Sequence, residues 1–383
     1  MEKSRRHIDV GKKKAKKKQA GKPMSRPTEG QPSKQQNTKN RSKHRHHNRN
    51  RKPSGKSSNY GTTPKSVLKK NNLAVEDEYR KKALSRFKRQ PPLTGIPSDL
   101  AEINTFEFQF KLQPVSLKEE ERVANFVVKK GEWGWIEGER FETIQTFTES
   151  STMTLEQALS LRSAILQQKS VYSHRTMKYK ARKMLSEYKN GTSVVDLSKK
   201  YDFPPMNIFR ALLEEKGWSK TKIRDTLREP SKFSERERKE FEEAEQADNV
   251  TSVDQSERHQ EADRFEDKIA DWFEAQGVRL RRQPELVAEQ EKEFGRPINT
   301  PDLLFIDHVF INGEPVAWID AKHFYGADVK FQIQKTKKQM ARYCNEWGSG
   351  AIMFRHGFSN NLYIPGVLML DASILMNQGY ESE

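Results

Sequence analysis

The chain has 383 residues, carries 70 Lys and Arg against 53 Asp and Glu for a formal charge of +17, and contains one cysteine. That lone Cys344 excludes an intramolecular disulfide and fits a reducing compartment. No apolar run approaches the ~20 residues of a membrane helix and no apolar segment follows the N-terminus, so the sequence predicts a soluble intracellular protein without a membrane partner.

The basic excess is confined to one end. Residues 1–70 hold 23 Lys and Arg against 3 Asp and Glu, whereas the rest of the chain holds 47 against 50. Lacking Phe and Trp, this segment cannot bury enough apolar surface to offset chain entropy, and it reads as a disordered basic tail. Within it Lys12, Lys13, Lys14, Lys16, Lys17 and Lys18 form a run suited to a nuclear address or to contact with phosphate backbones. A solvated tail without a dedicated partner is the plainer alternative.

Residues 71–150 form an extension of uncertain role with short candidate strands. Alternation of Phe106, Phe108, Phe110 and Leu112 with Glu107, Gln109 and Lys111 predicts a half-buried strand over 105–115, and a second candidate covers 134–147. From 151 to 230 the pattern is helical, with Thr154 and Gln157 placed as a capping box. Val194, Leu197, Tyr201, Ile208, Phe209, Leu212 and Leu213 are spaced to pack two short helices around Asp202-Phe203-Pro204-Pro205, the outline of a helix-turn-helix. Its second helix would present Asn207, Arg210 and Ala211 outward to nucleic acid; a helical bundle used for packing or protein contact is the competing reading. Residues 231–258 read as a charged linker, helical or flexible.

The segment 259–375 carries the chemistry. Phe265, Ile269, Trp272 and Phe273 give an amphipathic helix with Glu266 bordering its buried face. Two strands over 303–311 and 315–323 meet at Asn312-Gly313, a strong hairpin signal, and strand alternation throws Asp320 and Lys322 to one side and Ile319 and Ala321 to the other. Asp302 stands at the entry of the partner strand. A helix over 328–347 follows, with Gln339 and Tyr343 four residues apart and Lys335, Lys337 and Lys338 adding charge; two more apolar strands complete a mixed sheet.

Phosphodiester hydrolysis calls for a hard cation, whose preferred ligands are carboxylate oxygens. Asp302 and Asp320 supply these, the Ala321 carbonyl adds a backbone oxygen, and Glu266 is placed to complete the shell of a Mg²⁺ or Mn²⁺ ion. Lys322 would orient water or stabilise developing charge, with Gln339 and Tyr343 fixing Lys322 or meeting a phosphate. Lys335 and Lys338 join Asn207 and Arg210 as candidate nucleic-acid contacts. The bland alternative makes Asp320 and Lys322 an ordinary pair, Tyr343 a core residue, and His308 and His323 structural.

Thr300-Pro301-Asp302 before Leu303-Leu304, Trp318-Ile319-Asp320-Ala321-Lys322 before Phe324-Tyr325-Gly326, and the QxxxY spacing of Gln339 and Tyr343 resemble the restriction-endonuclease-like PD-(D/E)xK superfamily. Within it they resemble the TPD-motif family, which includes a codanin-interacting nuclease. The helical part ending in Leu227-Arg228-Glu229-Pro230 is similar to that family's N-terminal helical domain, so the resemblance covers about 150–375. It implies an α/β protein with an αβββαβ core at the C-terminus, preceded by an all-α helix-turn-helix domain and the basic tail. It further implies a divalent metal, Asp302, Asp320 and Lys322 as a catalytic trio, and Glu266 as the first-helix acid. A nuclear protein with the cytoplasm as a second location, and a codanin-like partner, follow from the same resemblance. One departure is Asp320, where a member of that family carries Glu; both satisfy the superfamily pattern, and the shorter side chain would shift the metal. The expected function is metal-dependent nucleic-acid hydrolysis; the alternative is a chromatin-associated adaptor or nucleic-acid-binding protein that keeps the fold without cutting.

Overall fold

The computed structural model describes residues 65–88, 102–251, 256–372 and 375. The lysine run of the basic tail lies outside the described residues. The tail's last residues, 65–70, instead open a helix.

Eleven α-helices and a six-stranded mixed sheet make up the described part. The helices before the sheet's main strands are α1 (Lys65–Ser85), α2 (Leu117–Val127), α3 (Gly138–Glu149), α4 (Leu155–Lys189), α5 (Val194–Tyr201), α6 (Pro205–Glu215), α7 (Lys220–Arg228) and α8 (Glu235–Gln246). They are joined by the single strand β1 (Thr105–Phe108). Then come α9 (Ser256–Ala275), β2 (Leu280–Arg282), α10 (Gln283–Phe294), β3 (Leu303–Ile311), β4 (Glu314–Lys322), α11 (Lys330–Trp347), β5 (Gly350–Phe354) and β6 (Val367–Asp371).

The strand order is β1-β3-β4-β5-β6, with β3 and β4 antiparallel and β5 and β6 following in parallel. The outer edge of β3 is shared: β2 pairs antiparallel with Leu303–Phe305, and β1 pairs parallel with the stretch from His308 to Ile311. The hairpin between β3 and β4 turns where the sequence predicts, because Asn312 (φ 53°) and Gly313 (φ 79°) both take the left-handed conformation that such a two-residue turn demands. Register shifts between Leu304 and Val309, and Asp307 sits in this irregular stretch.

Alternation along β3 and β4 creates two cores. Leu303, Phe305, Ile319 and Ala321 pack with Phe265, Ile269 and Phe273 of α9. Leu304, Ala317 and Trp318 pack on the other side with Met340, Tyr343, Cys344 and Trp347 of α11 and with Ala83 of α1. A separate core joins α4 to α8, in which Phe209, Phe233 and Phe241 form a ring cluster. At 35 residues, α4 runs about 50 Å and bridges this bundle to the sheet. Its Ser160 Oγ accepts the Tyr325 N–H at 2.8 Å, and Gln168 Oε1 accepts that of Phe331 at 3.0 Å.

Two local expectations are corrected and a third is narrowed. The candidate strand at 134–147 is largely helix α3, because Ile144 and Thr148, four apart, share its buried side. The strand expected over 105–115 shortens to β1, its pairing ending where β3 ends at Ile311. The charged linker at 231–258 holds α8, started by a Ser234–Glu237 capping box and anchored by buried Phe241 and Ala244. Among the described residues no helix is long and apolar enough to cross a membrane.

Candidate active site

Asp302 precedes β3, and its Oδ2 accepts the Ala321 main-chain N–H at 2.6 Å, which ties the first carboxylate to the strand bearing the second. Its Oδ1 accepts from Gln283 Nε2 at 2.8 Å. Gln283 opens α10, and only a Pro at the second helical position, Pro284, marks that start in the sequence.

Asp320 is fully buried in β4 and points, with Lys322, to the side opposite Ala321. Its Oδ1 accepts from Gln339 Nε2 at 3.0 Å, and its Oδ2 forms an ion pair with Lys322 Nζ and takes no further hydrogen bond. Gln339 Nε2 also donates to Tyr343 Oη at 3.1 Å, which in turn donates to the Thr300 carbonyl at 3.1 Å. The helical pair thus anchors Asp320 rather than Lys322, and Tyr343 links α11 to the approach of β3.

Burial, followed by the nearby Asp320, holds the Asp302 carboxyl well above the usual carboxylate range, with Lys322 opposing. Burial works against the Lys322 charge as well, but Asp320 and Asp302 outweigh it and keep the ammonium above its ordinary pKa. Burial pushes Glu266 up to about 7; Asp263 and Asp320 add to this, and Lys322 opposes it. Tyr343 is raised to about 12, by burial first and then by Asp320.

Glu266 therefore feels the cluster, yet it arrives on α9, which covers the Ile319 and Ala321 side of the sheet. Among the described residues no three His, Cys, Asp or Glu side chains are grouped so as to hold one metal ion. The donors that do fit a hard divalent cation are the carboxyl groups of Asp302 and Asp320, two buried acids beside which a cation would favour the ionised form of Asp302. The Asp320 Oδ2 atom, met only by Lys322, is the oxygen with coordination capacity to spare.

A cleft of about 270 Å³ opens beside this cluster, lined by Ser160, Ser163 and Gln167 of α4 and by Lys322, Lys335 and Gln339. Lys335 thus reaches the site region, whereas Lys338 lies exposed on α11 outside that lining. The α4 contributions carried no sequence signal, since their apposition depends on how the bundle docks. His308 packs at a tilt against Phe87 and His323 meets Phe265 edge to face.

The helix-turn-helix residues are not presented outward. Asn207 donates to Ser170 Oγ at 3.0 Å, Arg210 donates to the Thr251 carbonyl at 3.3 Å, and Ala211 is buried. The N-terminus of α6 is occupied by Asp248, whose Oδ2 accepts the Met206 N–H at 3.0 Å. The hairpin of helices exists, but α4 and α8 pack over the helix that would enter a groove.

Residues 233–373 match the family model described as a protein of unknown function with a TPD sequence motif, which bears out the TPD-motif resemblance over that segment. An uncharacterized protein of Acanthamoeba polyphaga mimivirus is 30% identical over 118 residues, covering 30% of this chain and 41% of its own length. The chain thus spans about two fifths of the length of that curated relative. No solved structure matches.

Proposed function

We propose that this protein is a divalent-metal-dependent nuclease built on a restriction-endonuclease-like core. The observation that carries this reading is the convergence of Asp302, Asp320 and Lys322 at the end of one hairpin, beside a cleft that Lys322 and Lys335 line. Asp302, Asp320 and the Ala321 carbonyl would hold Mg²⁺ or Mn²⁺. When bound, that ion supplies charge neutralisation at a scissile phosphate and lowers the pKa of water.

The chain's own residues do the rest. Lys322, held by Asp320 on the cleft wall, offers an ammonium to a phosphate oxygen. Gln339 fixes the Asp320 carboxylate, and Tyr343 fixes Gln339 against Thr300. Glu266, titrating near neutrality, stands within electrostatic reach of Lys322 and Asp320 and can take up a proton there. A nuclear location with the cytoplasm as a second site, and a codanin-like partner, belong to the same proposal.

The second reading is a chromatin-associated adaptor or nucleic-acid-binding protein that keeps the fold without cutting. It is favoured by the degree to which Asp302, Ala321, Asp320, Lys322 and Gln339 already satisfy one another. Incubating purified protein with duplex, branched and single-stranded DNA and RNA in Mg²⁺ or Mn²⁺ separates the two. The nuclease reading expects cleavage that falls at least about 100-fold in Asp320→Asn and Lys322→Met with the fold retained. Equal background from wild type and both variants favours the adaptor.

A further inference from the structure

Residues 169–189, the second half of α4, hold seven Lys and Arg against one Glu, whereas residues 71–383 together hold 47 against 50. This half of the helix also leaves rings at the surface: Tyr172 is 53% exposed and Tyr179 76% exposed. Val171, Arg175, Lys178, Arg182 and Lys183 are exposed around them. Aromatic rings left on the surface among cations are uncommon on a face that only meets water.

Helical spacing puts these residues in line with the cleft at Lys322. Ser160, Ser163 and Gln167 line that cleft, and Val171, Arg175, Lys178 and Arg182 continue their row at steps of three and four residues. From Gln167 to Arg182 the row runs about 22 Å, roughly the rise of six base pairs. Tyr172 and Tyr179 border it. Part of the positive charge serves the fold, since Lys169 pairs with Asp202 and Lys180 lies over the Tyr201 and Phe203 rings. Arg175 and Arg182 form no ion pair with an acid among the described residues; Arg175 lies instead 5.9 Å from the centre of the Tyr179 ring. Lys178 meets Glu214 at 3.3 Å, and Glu214 lines a groove of about 430 Å³ together with Lys220, Arg224 and Arg228 of α7. Cations from a second helix therefore adjoin the row.

We propose that this face of α4 binds a double-helical arm of nucleic acid, holding its phosphates through Arg175, Lys178 and Arg182 without reading its bases, and leads that arm into the cleft at Lys322. Guanidinium, ammonium and phenol groups on a rigid helix are phosphate-positioning contacts that carry no sequence information. Continuity of the row with the cleft favours nucleic acid over an acidic protein, because one polymer can be held along α4 and presented at Lys322. Single strands are held in basic grooves with stacking platforms, whereas the row lies on the outside of a helix and the Tyr179 ring is already met by Arg175. α4 thus takes the part that α6, packed beneath it, cannot. Placing a scissile bond at the end of the row rests on the nuclease reading; binding along α4 does not.

The test is the affinity of the full-length protein, basic tail included, for fluorescein-labelled DNA duplexes of two unrelated sequences, measured in EDTA over a series of salt concentrations. Arg175→Gln combined with Arg182→Gln is expected to weaken both duplexes alike, on the order of 10-fold, and to flatten the salt dependence by about 1.8 in slope for two phosphates lost. Lys239→Gln combined with Lys292→Gln removes the same charge from exposed positions on α8 and α10 and should leave the slope near that of wild type. Equal slopes from the two double variants overturn the proposal. A loss confined to one of the two sequences overturns backbone binding, and a larger loss on oligo(dT) than on duplex overturns the double-helical arm. Unchanged duplex affinity together with weakened binding of a poly-glutamate peptide would assign the face to an acidic protein instead. Because nothing is cut in EDTA, failure here leaves the nuclease reading standing, and absence of cutting in Mg²⁺ leaves this binding face standing.

Discussion

Arg279 closes on Asp307 with both main chain and side chain: its main-chain N–H donates to Oδ2 at 2.8 Å, and its guanidinium donates to Oδ1 from Nη2 at 2.5 Å and from Nε at 3.1 Å. The same Oδ1 accepts the Asn104 N–H at 3.0 Å, so one fully buried carboxylate at the irregular stretch of β3 fastens the entries of both β1 and β2. Burial alone would raise its pKa, but the Arg279 hydrogen bonds prevail and hold it below the ordinary aspartate value. Replacing Asp307 with Ala also strips a favourable charge from buried Arg86, and is expected to cost about 3 kcal/mol in urea unfolding. Because the folded-state pKa is depressed, the wild-type advantage is complete above the unfolded pKa near 4 and disappears as pH falls through the folded value.

His356 carries a second pH dependence of the opposite chemical type. Burial, helped by Arg355 and His323 and opposed by Glu156, pushes its pKa down to about 4. The folded state therefore favours the neutral imidazole, its contribution is complete above the unfolded pKa of about 6.5, and it is lost as pH falls from there toward about 4. Thermal midpoints measured across that window should decline more steeply in wild type than in His356→Gln. Parallel declines would refute the assignment.

Gly350 faces the Trp318 indole so closely that an added Cβ would stand 2.2 Å from its ring. Gly350→Ala is expected to destabilise by about 3 kcal/mol or more, since neither the ring, whose Nε1 donates to the Gly348 carbonyl at 3.0 Å, nor the strand can give way. Gly313→Ala is the control: its Cβ meets nothing within 4 Å, and only the positive φ is penalised, at about 1 kcal/mol. Chemical denaturation of both variants measures the difference.

Gln339 holds Asp320 without itself lining up as a ligand. If the nuclease reading is right, Gln339→Ala should lower metal-dependent cleavage about 10- to 100-fold while changing stability little. Tyr343→Phe removes the donor to Thr300 and should cost about 1 kcal/mol in stability with a smaller loss of rate. A Gln339→Ala enzyme as fast as wild type would show that the Asp320 orientation does not limit cutting.

The hairpin and its residues were legible because their signals are local: Asn312-Gly313 fixes the turn, and period-two alternation fixes which sides Asp320 and Ala321 face. The Thr154–Gln157 capping box was legible for the same reason. Residues 134–147 read as a strand because aromatic and β-branched content is shared by strands and by helices that bury such residues on one side. The surface of α6 was misread because its exposure is decided by α4 and α8, which no pattern within α6 encodes. Neither Gln283 beside Asp302 nor Asp307 beside Arg279 could be foreseen, since each contact is made across segments whose docking has no periodic trace.

The pairing of Thr105 with His308 sets a timetable for making the protein. At about 5–20 residues per second, a ribosome needs roughly 10–40 s to add the 203 residues that separate them. During that interval α1 and β1 are already in solution with nothing to pair with, while the bundle from α4 to α8 can settle on contacts close in sequence. The sheet therefore closes late, and β1, although translated early, waits for β3 before it can pair.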